Sequence, residues 1–131
     1  MQLVDTQPSF IRVYGLGKLR RAGGPISVSE LEEIGKIFNS LVKAVVDVEE
    51  ETMVVDMEMH ADGEFFMLKS QESAQENLWG INLLSEKYGT PEFIEYAALM
   101  NIRQSHKSWI VEDIIVRTKI EKIVTSCIAK G

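Results

Sequence analysis

Between positions 42 and 69 apolar and polar residues alternate with a period of two, the signature of strands with one buried and one exposed face. A loop centred on Glu50-Glu51 pairs Val48 with Met53, Val46 with Val55, Ala44 with Met57 and Val42 with Met59. Asp62-Gly63 reads as a two-residue hairpin turn, after which Met59 faces Phe66 and Met57 faces Leu68. Every position on that face is apolar, and a one-residue slip would break the pattern. The expected product is a three-stranded antiparallel meander over 42–69.

Helical spacing brackets this meander. Ser27 and Glu30 are spaced as a capping box, with Ile26 and Leu31 as the hydrophobic staple. Leu31, Ile34, Ile37, Phe38 and Leu41 then form one apolar stripe. Near the other end Asp113 is the expected N-cap of a helix whose stripe is Ile120, Ile123, Val124, Cys127 and Ile128. Two more strands are expected over 77–84, with Trp79, Ile81 and Leu83 on one face, and over 93–103, with a loop at 85–91 between them. The fold class is therefore α+β: an antiparallel sheet of four to five strands with an N-terminal and a C-terminal helix packed on one face. Residues 25–131 form a single domain, preceded by an arm (1–24) that is extended or a short strand over 9–14.

Composition narrows the class without naming a reaction. The 131 residues suffice for one domain with a real core. No apolar run approaches the ~18 residues of a membrane span, and the N-terminus lacks the build of a signal peptide. The single cysteine, Cys127, excludes an intrachain disulfide and suits a reducing cytoplasm, the expected location. It lies on the apolar stripe of the last helix and is expected to be buried and inert. The net charge of −6 argues against nucleic-acid binding. The cations Arg12, Lys18, Arg20 and Arg21 concentrate in the arm, and an RNA contact there would rest on Arg20 and Arg21.

Two stretches carry candidate chemistry. In the expected second strand Glu58 and His60 point the same way, and Asp62 follows in the turn. An imidazole nitrogen with carboxylate oxygens suits a divalent metal that could activate water. The same register places Lys43 opposite Glu58 and Lys69 opposite Asp56, so paired surface charge explains the face equally simply. The second stretch, Asn101, Arg103, His106 and Lys107, could hold a phosphate or carboxylate, or serve as a polar connection. Trp109 is expected to be more exposed than Trp79.

Several segments together resemble a small prokaryotic family of uncharacterised proteins known only as a domain of unknown function. They are 25–27 with 30–31, 41–49, Met59-His60-Ala61-Asp62, 75–82, 93–96, Asn101-Ile102-Arg103 and 111–113, and the resemblance covers roughly 25–128. It implies a one-domain cytoplasmic protein and directs attention to Glu58, His60, Asp62, Asn101 and Arg103. The family's run after the arginine differs from Gln104-Ser105-His106-Lys107 here, and the arm is an addition of this chain. The leading expectation is a binding or interaction module that forms a homodimer or takes a protein or small anionic ligand. The alternative is a hydrolase of a phosphate-containing substrate, with a divalent metal as cofactor.

Overall fold

The computed structural model describes residues 12–17, 24–103 and 107–129. The elements are β1 (Arg12–Gly15), β2 (Ile26–Ser27), α1 (Val28–Gly35), β3 (Leu41–Asp47), β4 (Thr52–Val55), α2 (His60–Ser70), β5 (Leu78–Leu84), β6 (Ile94–Glu95), α3 (Ile114–Cys127) and β7 (Ile128–Ala129). Five strands form one mixed sheet in the order β1-β4-β3-β5-β6, antiparallel except for the parallel β1–β4 edge. β2 and β7 pair in parallel and tie the start of α1 to the end of α3. The basic positions Lys18, Arg20 and Arg21 lie outside the described residues, as does His106.

The capping box forms: Ser27 Oγ accepts the Glu30 amide, and Glu30 Oε1 accepts the Ser27 amide, each at 3.1 Å. α1 gives way after Gly35 to a single 3-10 turn at Lys36–Phe38, and Asn39 and Ser40 take positive φ to enter β3. The tighter turn rotates Ile37 out of the expected stripe, leaving it 70% exposed. Asp113 caps α3, with Oδ1 accepting the Ile115 and Val116 amides.

The β3–β4 hairpin forms with its register moved by two residues, Val46 opposite Met53 rather than Val55. A two-residue shift keeps every side chain on its face, so periodicity alone does not distinguish the two registers. The buried Asp47 settles it. Its Oδ1 accepts the Glu49 and Glu50 amides at 2.9 Å, and Oδ2 accepts Ser73 Oγ–H at 2.6 Å. These bonds pull the turn one residue toward β3 and satisfy a carboxylate that is otherwise costly to bury.

The third strand of the expected meander is instead a helix. β4 ends at Val55, Asp56 takes φ +64°, and α2 begins at His60. Gly63 is a close-approach position rather than a hairpin turn: a Cβ there would lie 2.8 Å from both Met57 Sδ and Val45 Cγ2. Gly63 and Met67, one helical turn apart, face the sheet, while Phe65 is exposed with the Lys69 ammonium over its ring. Neither expected charge pair has its strand neighbour, since Lys43 stands opposite Asn82 of β5. β1 takes the vacant place beside β4, in parallel, and β5 pairs with β3 along its whole length on the other side. The expected 93–103 strand shortens to Ile94–Glu95, a bridge from Ala97 to Ile110 and a 3-10 turn at Leu99–Asn101.

Both sheet faces are covered. Val42, Ala44, Val46, Met53, Val55, Ile81 and Leu83 share a core with Leu31 and Ile34 of α1 and with Ile120, Ile123, Val124 and Cys127 of α3. Val45, Val54, Met57 and Leu78 pack with Met67 of α2. This explains why β4 and the second half of β3 are buried at every position rather than alternately.

Candidate functional site

Successive residues of an α-helix turn by about 100°, so His60 and Asp62 lie about 200° apart around α2 rather than on one face. His60 points to the sheet. Glu58 and Asp62 are exposed and line a separate hollow with Asp56, Gly17 and Phe38. Glu58, His60 and Asp62 are therefore not brought together, and among the described residues no three His, Cys, Asp or Glu side chains are grouped to hold a metal ion.

Asn101 and Arg103 serve the backbone. Asn101 is fully buried: its Oδ1 accepts the Gly80 amide at 2.8 Å, and its Nδ2 donates to the Gly80 and Trp109 carbonyls at 3.0 Å each. One side-chain amide thus stands in for a strand neighbour where β6 has already ended. Gly80 permits the approach, because a Cβ there would meet Ala98 Cβ at 2.7 Å. Next along β5, Arg103 donates Nη2–H to the Leu78 carbonyl and Nη1–H to that of Glu76, and its guanidinium lies 4.5 Å from the centre of the Trp79 ring. Burial lowers its pKa, against the nearby carboxylates of Glu64 and Glu76, which raise it. Two of the three guanidinium nitrogens are engaged by backbone carbonyls, while the buried Nε has no hydrogen-bond partner among the described residues. Of the remaining expected anion ligands, Lys107 is exposed and His106 lies outside the described residues.

His60 nevertheless marks a site. It stands on the wall of a groove of about 790 Å³ between the start of α2 and residues 95–100 and 109–110. Among the described residues Lys43, Glu64 and Glu95 supply its charged groups. Met59, Leu99, Trp109 and Ile110 line it and are exposed at 61%, 67%, 51% and 42%, an unusual concentration of large apolar groups in contact with water. The wall is fixed by the backbone: the Trp109 carbonyl accepts Ala98 N–H, Val111 N–H donates to the Tyr96 carbonyl, and Asn101 ties Trp109 to Gly80.

The half-buried ring of His60 places Nε2 2.8 Å from the Ile81 carbonyl. A carbonyl only accepts, so Nε2 carries the proton and Nδ1 holds a lone pair. Burial is the largest cause of a lowered pKa, helped by the Lys43 charge. The Ile81 carbonyl, Asn82 and Glu95 act in the opposite direction without reversing it. The ring is therefore a neutral hydrogen-bonding group at pH 7. Lys43 leans over the Phe38 ring, 4.6 Å from its centre. Glu95 accepts Asn82 Nδ2–H at 2.7 Å, which orients its carboxylate.

The sequence pointed to His60 but not to its companions. Lys43 looked like the partner of Glu58, and Glu95 like one more outward position of a strand. Only the chain reversal after Val55 and the β3–β5 pairing bring them together. The exposure expected of Trp109 was the one direct signal of the apolar wall.

Comparison with protein families places the chain in DUF5674, described as a protein of unknown function, whose model matches residues 22–127. The chain belongs to this family. No curated protein and no solved structure matches it. Among the described residues no helix is long and apolar enough to cross a membrane.

Proposed function

We propose that this protein is a binding module for small amphiphilic molecules, with the His60 groove as its working site. One observation carries the reading: a concave surface of about 790 Å³ joins an exposed apolar wall to a neutral histidine and three charged side chains. Small-ligand sites typically fall between about 300 and 1,000 Å³, mostly apolar with a few placed polar groups. The test is an NMR titration with ring-bearing fragments of differing polar heads. Shifts should concentrate on the Trp109 indole, His60 and Lys43 and vanish in Trp109→Ala; a fragment set that leaves these three unmoved overturns the reading.

Self-association is a second reading, favoured by the first turn of α3, where Ile114 and Ile115 are 71% and 64% exposed. Light scattering should then give twice the monomer mass for the parent and the monomer mass for the double variant Ile114→Glu/Ile115→Glu. A monomeric parent at high concentration removes this reading.

A further inference from the structure

Resting on the groove as the binding site, we propose that its ligand is a protonated amine carried on an apolar body, held by His60 Nδ1 and the Glu95 carboxylate. The argument starts from what the polar end of the groove offers. His60 gives its ring proton to the Ile81 carbonyl, its ring also interacts with the Asn82 side chain, and Nδ1 is not among the buried atoms without a partner. It is an acceptor reachable from the groove.

Glu95 is a second acceptor, with Oε1 held by Asn82. Glu64 adds a third, although it also accepts Gln75 Nε2–H at 3.1 Å and shares its field with Arg103. Among the described residues that line the groove, one cation stands against these, Lys43, whose ammonium lies over the Phe38 ring. A head group entering here meets acceptors and net negative charge, so it must bring N–H or O–H donors, and a positive charge is favoured. An anionic head meets two carboxylates and, among the described lining residues, one cation, Lys43. The Trp109 ring on the wall adds attraction for a cation, while Met59, Leu99 and Ile110 receive the apolar body. The protein's net charge of −6 draws the same ligands from a distance.

The experiment compares 2-phenylethylamine, 2-phenylethanol and 3-phenylpropionate by calorimetry and NMR at pH 7.5. The ring and linker are shared, so the head group alone is varied. The amine should bind about tenfold more tightly than the alcohol, a preference of about 1.4 kcal/mol, and the carboxylate most weakly. Glu95→Gln, which keeps an acceptor for Asn82, should bring amine and alcohol to within about threefold, with the larger loss falling on the amine. An alcohol that binds as well as the amine, or a carboxylate that binds best, overturns this inference while the groove reading stands. If none of the three moves the Trp109 resonances, both fall.

Discussion

Replacing Asn101 by alanine tests the interpretation of the β5 edge most directly. The side chain makes three hydrogen bonds, to the Gly80 amide, the Gly80 carbonyl and the Trp109 carbonyl. Truncation does not orphan all three, because the Trp109 carbonyl keeps the Ala98 amide at 3.1 Å. Two groups remain, both on Gly80, where β6 offers no backbone partner. A buried polar group left unsatisfied costs about 1–3 kcal/mol. Water reaching the sheet edge lowers that toward the smaller figure, and the space left by the amide adds to it. The expected loss is about 3 kcal/mol. At roughly 4 °C per kcal/mol for a chain of this length, the melting midpoint should fall by about 12 °C. Asn101→Asp should cost at least as much at pH 7, since it keeps an acceptor for the Gly80 amide but sets a charged oxygen against two carbonyls. Thermal and urea unfolding followed by circular dichroism would measure both. An alanine variant melting within about 3 °C of the parent would refute the reasoning and return Asn101 to the pool of ligand-binding groups.

Other outcomes follow from the same contacts. Gly63→Ala gains about 1 kcal/mol of helix propensity. It also drives a methyl to 2.8 Å from Val45 on the central strand β3, where overpacking costs about 1–3 kcal/mol, so net destabilisation of about 1 kcal/mol is expected in urea unfolding. Asp113→Ala removes the α3 cap and should lower stability by about 1 kcal/mol, read as a midpoint about 4 °C lower. His60 has a folded-state pKa below its unfolded value, so the unfolded chain binds the extra proton first. Its contribution is complete above the unfolded pKa of 6.5 and is lost as pH falls through the window down to the lowered folded value. The melting midpoint should therefore drop between pH 7.5 and 5.5, and His60→Gln should flatten that part of the profile; a profile identical in the variant would contradict it.

The parts of the fold legible in the sequence are those fixed by local chemistry. The Ser27–Glu30 box, the Asp113 cap and the stripe through Ile120 and Cys127 each involve neighbours within one or two helical turns. β3 and β5 declared themselves through branched and aromatic residues at alternate positions. The failure lay at 56–70, where two patterns overlap: Met57, Met59, Phe66 and Leu68 alternate as in a strand, while Gly63, Phe66 and Met67 recur at helical spacing. No side chain caps α2, so its start carried none of the signals that marked α1 and α3. The parallel β1–β4 and β2–β7 pairings join segments distant in the chain and leave no periodic trace. The candidate site inherits this division. His60 stood out by residue type, while Lys43, Glu95 and Trp109 become its neighbours only through long-range pairing. Asn101 and Arg103 were singled out for their polarity, although that polarity is spent on β5.

The use of Asn101 and Arg103 along β5 has a bearing on association between chains. A strand with open amides and carbonyls on one side is a template on which another molecule can add a strand, the first step toward ordered aggregates. Here β6 shields only Asn82 and Leu83, and the exposed run of the template is filled by two side chains that offer no further backbone for growth. Sheet extension stops there because the next position is occupied by an amide and a guanidinium rather than by a peptide. Loss of either side chain would do more than weaken the monomer: it would uncover a short apolar strand, Leu78-Trp79-Gly80-Ile81, with its bonding edge open. The two residues thus guard solubility by closing the sheet chemically rather than by charge repulsion.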